Sequence, residues 1–291
     1  MLMKLNNDIC SIIGNYINSV NIEYELLEWI DTTKNNNNNY YLSSNKYAIE
    51  LLKENPEKIN WNGLSRNSRA IELLKKNQEK INWNGLSRNS RAIDLLKENQ
   101  DKINWNALSR NSGAIDLLKE NLDKIGWVNL SYNENAIEIL KNNPEKIIWS
   151  YLAYNKHPDA IELLKSNQDK IDWSYLSTNP GAIELLKSNP EKIDISYLSY
   201  NNHPYAIELL KENQDKINWN GLSMNSGAIE LLKENQDKIN WKLLSRNSGA
   251  IDLLKENLDK INWDIFLENE GIFKIKDNND KLTNIIKEAL T

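Results

Sequence analysis

Trp61, Trp83, Trp105, Trp127 and Trp149 stand 22 residues apart; Trp173 follows after 24, Ile195 after 22, Trp219 after 24, and Trp241 and Trp263 after 22 each. The unit reads I-[ND]-W-x-x-L-S-x-N-x-x-A-I-[ED]-L-L-K-x-N-x-[ED]-K, in about ten copies. One unit offers roughly seven apolar side chains at about 1.5–3 kcal/mol each, against about 1–2 kcal/mol of backbone entropy for each residue. No unit can fold alone, so copies must stack and share their cores. A length of 291 residues therefore says nothing about the number of globular domains.

Within a unit, Ala92, Ile93, Leu95 and Leu96 fall at spacings of three and four and line one face of a helix, here helix B, with Asp94 and Lys97 on the other face. Pro158, Pro180 and Pro204 sit two residues before the repeat Ala, the first-turn position where a missing N–H costs nothing. Pro56, Pro144 and Pro190 each follow an Asn that recurs in every unit, which predicts a left-handed Asn ending a helix B of about three turns. The W-x-x-L-S segment follows Asn or Asp in most units, an N-cap for a short helix A. A second Asn, such as Asn67, Asn89 or Asn111, closes helix A. In the two 24-residue units that Asn keeps step with helix A, while His157 and His203 take the cap position of helix B.

The expected fold class is all-α: an αα-solenoid of about ten helix-pair repeats, with helical caps at both ends. Helices packed about 10 Å apart make it a rod on the order of 100 Å long. A leucine-rich repeat has a similar period, but it needs L-x-x-L-x-L-x-x-N. Taking Leu64 and Asn67 as its end puts Asn62 where the middle Leu belongs.

Three regions follow: an N-terminal helical cap over 1–38, the repeats over 39–270, and a C-terminal capping helix over 271–291. Leu5, Ile9, Ile12, Ile13, Tyr16 and Ile17, then Leu26, Leu27, Trp29 and Ile30, suit two amphipathic capping helices. At the other end Ile272 and Phe273 replace helix B, and Leu282, Ile285, Ile286 and Leu290 suit a final helix.

Net charge is -5, with Lys+Arg 36 against Asp+Glu 41, which argues against a general nucleic-acid or membrane-surface binder. No stretch is apolar enough to cross a membrane, and the N-terminus lacks the unbroken apolar run of a signal peptide, so the chain reads as mature and cytoplasmic. The single Cys10 agrees with a reducing compartment. Carboxylates fall at fixed repeat positions where Glu72 and Lys75 make an exposed pair, and the repeat serines have no His in register. His157 and His203 lie two units apart, on the order of 20 Å, too far for a shared ion. No catalytic residue, metal ligand or cofactor is expected.

All six arginines occupy two repeat positions. Arg66, Arg88, Arg110 and Arg246 lie between Ser and Asn at the end of helix A, and Arg69 and Arg91 lie just before the repeat Ala. The L-S-x-N position otherwise varies, holding Tyr132, Tyr154 and Tyr200 among others. A variable stripe of Arg and Tyr has the composition of a binding surface, though neutral drift at an exposed site also leaves variation. Arg66, Arg88 and Arg110 should be exposed along the outer edge of helix A, where the field turns positive toward the N-terminal half and suits an acidic protein partner.

The unit I-N-W-x-x-L-S-x-N-[PS]-x-A-I-x-L-L-K-x-N-[PQ]-[ED]-K resembles the short Asn-rich repeats of uncharacterised proteins in mimivirus-like giant DNA viruses, over roughly residues 39–270. The resemblance implies a viral protein acting in the cytoplasm of an infected host cell. Leu5-Asn6-Asn7-Asp8-Ile9, with Ile13, Ile17, Asn21-Ile22 and Trp29, is similar to an F-box, although Asn6 stands where that motif usually has Pro. This implies docking to the Skp-type adaptor of a cullin ubiquitin ligase through residues 5–30, as the alternative to a plain cap. The leading expectation is a non-enzymatic scaffold for protein–protein interaction; a substrate receptor for the ligase comes second, and a helical nucleic-acid reader third.

Overall fold

The structure, a computed structural model, describes residues 24–34 and 39–275. It is an all-α solenoid of stacked helix pairs. In a typical unit helix A is Trp105–Leu108 and helix B is Ile115–Lys119, followed by a third, 3₁₀ segment at Leu122–Lys124. Helix A starts as expected, with the Asn104 side chain accepting the N–H of Ala107 at 2.9 Å. Helix B is shorter than three turns in most units, and reaches eight or nine residues only at Pro158–Lys165 and Pro204–Glu212, where His157 and His203 cap it through Nδ1.

The Asn that ends helix B is not left-handed. Asn121 has φ -137 and ψ 52, and its Nδ2 donates to the carbonyl of Leu117 at 3.0 Å. A side-chain donor to the carbonyl four residues back satisfies the helix end that a left-handed turn would otherwise satisfy. Pro56, Pro144 and Pro190 then occupy the first position of the 3₁₀ segment.

The joint between units is built from Ser and Asn. Asn111 is buried; its Nδ2 donates to the carbonyls of Ser87 and Asn89 in the preceding unit, both at 3.0 Å, while Oδ1 accepts the N–H of Gly113. One side chain thus links two units and caps helix B. Ser87 Oγ donates to the Trp83 carbonyl at 2.7 Å and accepts the N–H of Asn104 in the next unit at 3.0 Å. Fully buried Leu108, Ala114 and Leu118 pack between these bonds. The repeat tryptophans are only half-buried, and eight of them carry a Lys ammonium over the ring at 4.5–4.9 Å, as Lys124 does over Trp105.

The rod does not end: it closes. Asn45 donates to the carbonyls of Leu267 and Asn269 at 3.1 and 3.2 Å, the bond that every joint Asn makes to the unit before it. Eleven such Asn, from Asn45 to Asn269, therefore run round a ring of eleven units, each turned roughly 33° from the last. The stacked length of on the order of 100 Å is a circumference. The seam copies the other joints in its cation as well, for Lys34 of the 3₁₀ segment Thr32–Lys34 lies 4.9 Å over Trp263.

Across this seam the first and last units cover each other's faces. Tyr24–Leu26 forms strand β1, which pairs antiparallel with β2, Phe273–Ile275, and Trp29 packs 5.7 Å from Phe266. Lys46 and Glu270 add an ion pair at 2.8 Å across the seam. Residues 26–30, read as part of a capping helix, are thus strand and turn. Leu5 to Ile22, the F-box-like stretch apart from Trp29, and Leu282 to Leu290 lie outside the described residues. No helix among the described residues is long and apolar enough to cross a membrane.

Candidate binding edge

The residue before the joint Asn lies on one edge of the ring and meets the third position of helix A there, which is buried where it is small, as at Gly63, Gly85, Ala107 and Gly221, and half-buried or exposed where it is Tyr151, Tyr175 or Tyr197. The two positions interlock between units. Gly85 lies against Arg66 of the preceding unit, and a Cβ there would meet Arg66 Cγ at 3.2 Å. Gly221 lies under the ring of Tyr200, where a Cβ would come within 2.7 Å of Cε2. Small third positions make room for the long side chain before them.

Arg66, Arg88, Arg110 and Arg246 are exposed, as are Arg69, Arg91 and Tyr200; Tyr132 and Tyr154 are half-buried. They divide into groups. Arg69 stacks on Tyr24 and Tyr47 at 4.7 and 5.5 Å, and Arg246 pairs with Glu268 at 3.2 Å and donates to the Tyr41 hydroxyl, so these two brace the seam. Arg66 donates to the Tyr40 hydroxyl at 3.0 Å. Arg110 lies 4.0 Å over the ring of Tyr132 and begins a continuous stack. Tyr132 meets Tyr154 at 5.6 Å, Tyr154 meets Tyr175 at 4.9 Å, and Tyr175 meets Tyr197 at 5.8 Å between ring centres.

The L-S-x-N position alone does not point to Tyr175 and Tyr197. Their signal was the third position of helix A, reading Gly63, Gly85, Ala107, Asn129, Tyr151, Tyr175, Tyr197, Gly221, Leu243 and Ile265 round the ring. Together with Tyr200 and Lys156 the stack lines a cavity of about 620 Å³. Burial pushes the Tyr154 hydroxyl up to about 12, helped by the neighbouring Tyr175, Tyr197, Tyr132 and Asp172. It stays a protonated donor at any physiological pH.

The repeat serines are buried in the joints, His157 and His203 are helix caps, and carboxylates such as Glu72 pair with Lys on the exposed face of helix B. Among the described residues no three His, Cys, Asp or Glu side chains are placed to hold a metal. No family model, curated protein or solved structure matches the chain.

Proposed function

We propose that this ring is a non-catalytic scaffold that grips a protein partner along its helix-A edge, through Arg66, Arg88 and Arg110 and the adjoining tyrosines. One observation carries the reading: the repeated Ser and Asn are consumed in the joints, whereas the varying residues before the joint Asn, with Tyr175 and Tyr197, lie side by side on one edge. Tyr and Arg dominate binding hot spots because they bring large contact area and hydrogen bonds at little entropic cost. A ring whose ends are bonded holds that edge stiff before binding, which lowers the cost of ordering it. The resemblance to giant-virus repeats supports a setting in host-cell cytoplasm.

The test is affinity capture from host lysate by the full chain and by two variants, Tyr154→Ser with Tyr197→Ser, and Arg66→Ser with Arg88→Ser and Arg110→Ser. Partners held by the parent should be lost by both variants while circular dichroism stays unchanged. Undiminished capture by both moves the functional face elsewhere on the ring.

A further inference from the structure

Arg246 shows what an arginine of the edge meets when the next unit supplies an anion: its Nε lies 3.2 Å from the carboxylate of Glu268, the same repeat position one unit on. Side chains of this row touch from unit to unit elsewhere too. Arg110 lies 4.0 Å over Tyr132, and Tyr132 meets Tyr154 at 5.6 Å. Arg66, Arg88 and Arg110 fill three successive places of the row, with Arg91 beside Arg88 in the same loop. Arg66 leans over Gly85 toward the unit of Arg88. Their charges therefore face one another across a gap no wider than the roughly 10 Å over which 0.1 M salt screens charge.

No carboxylate among the described residues pairs with Arg66, Arg88, Arg91 or Arg110, and residues 61–70, 83–92 and 105–114 contain no Asp or Glu. Helix B treats its cations differently, for Lys75, Lys165 and Lys187 each pair with a Glu three residues earlier. The chain is acidic as a whole, at -5, yet it gathers five of its six arginines in these three units.

Guanidinium groups placed side by side are stabilised by an anion that bridges them, and each planar fork can hold a carboxylate through two parallel hydrogen bonds. An acidic peptide segment fits this patch. The anion that the row itself offers an arginine is a carboxylate, Glu268, and the patch is short, running from the Tyr40 hydroxyl that Arg66 reaches at 3.0 Å to the ring of Tyr132 under Arg110. A nucleic-acid strand needs a longer basic track and free aromatic faces on which its bases stack. Beyond Tyr132 the tyrosine rings lie against one another at 5.6, 4.9 and 5.8 Å, which leaves no gap between them for a base.

We infer, resting on the protein-binding reading above, that Arg66, Arg88, Arg91 and Arg110 dock an acidic segment of the partner, whose Glu or Asp carboxylates bridge neighbouring guanidinium groups. Fluorescence anisotropy of the full chain tests this with a labelled peptide of about eight residues alternating Glu and Ser, which as an extended strand is long enough to cross three units. Binding should weaken about tenfold or more when Gln replaces Glu in the peptide, and as much with Arg66→Ser, Arg88→Ser and Arg110→Ser together. That triple variant should also lose most of the salt dependence. Lys75→Ser, Lys97→Ser and Lys119→Ser together remove the same charge from helix B and should leave binding nearly unchanged. Equal loss in the two triple variants, equal binding of the Gln peptide, or no binding of the Glu peptide to the correctly folded ring overturns the inference. Tighter, competing binding of an oligouridylate overturns it in favour of a nucleic-acid ligand. If the peptide fails while the arginine variant still loses its captured partner, the acidic class falls and the edge stands; if capture survives in both edge variants, the edge falls too.

Discussion

The joints and the edge of this ring follow opposite rules. At a joint the same Asn amide makes the same bonds to the same two carbonyls whether it links neighbouring units, as Asn111 does, or the two ends of the chain, as Asn45 does. On the edge, one residue removed in sequence, Arg110, Tyr132, Tyr154, Thr178 and Tyr200 succeed one another. The free energy is held at the joints. A buried Asn with three partners is costly to change because each orphaned group costs about 1–3 kcal/mol. Edge residues such as Arg66 are exposed and reach a side chain, here the Tyr40 hydroxyl, and not buried backbone groups.

The largest expected effect is therefore at a joint. Asn111→Ala leaves the carbonyls of Ser87 and Asn89 and the N–H of Gly113 without partners, a loss of roughly 3–6 kcal/mol. Asn45→Ala should cost about as much, because it orphans Leu267, Asn269 and the N–H of Tyr47 in the same way. Thermal melts of the two variants set side by side decide whether the seam is a joint. A melt near that of the parent for Asn45→Ala, beside a large loss for Asn111→Ala, would make the seam a loose contact and the molecule an open solenoid.

The helices and their caps were legible because each is local: Asn104 caps helix A and His157 caps helix B within two or three residues of chain. Closure was not, because it sums a small turn at each of eleven joints, and no single residue encodes that angle. A trace of it stands in the sequence all the same. The first and last units lose much of the repeat pattern yet keep the joint residues Asn45 and Asn269, which an open end has no need to keep. The conformation of Asn121 escaped for another reason, since an Asn after a helix ends it equally well by a left-handed backbone or by its side-chain amide. Half of the tyrosine stack escaped because two variable positions, far apart in periodicity, merge into one surface only when neighbouring units interlock.

Between joint and edge lies the tryptophan stripe, and its cost should be intermediate. Trp105→Ala removes a half-buried indole with Lys124 above it, so about 2–3 kcal/mol is expected instead of the roughly 3–5 kcal/mol of a fully buried aromatic. Denaturant melts measure this directly, and a loss as large as that of Asn111→Ala would move the stripe into the joint. On the edge itself, Arg88→Ser should alter stability by no more than about 0.5 kcal/mol, as for surface positions in general. A clear loss of stability there would blur the division between joint and edge.

Tyr154 should give the smallest change at neutral pH and a distinctive one in alkali. It belongs to the edge by position, but it is half-buried between Tyr132 and Tyr175, at 5.6 and 4.9 Å. Burial first, and then the neighbouring phenols and Asp172, raise its hydroxyl from the ordinary value of about 10 to about 12. A raised pKa means that the fold favours the neutral phenol relative to the unfolded chain. Its contribution to stability is therefore whole below about pH 10, where the unfolded phenol is still neutral, and is lost as pH rises through about 12. Phenylalanine at this position cannot ionise, so Tyr154→Phe should match the parent near neutrality and lose less stability between those two values. Near-ultraviolet absorbance should also show one late-titrating phenol in the parent that the variant lacks. Identical titration curves for the two proteins would place Tyr154 in open solvent and leave the edge without a buried rim.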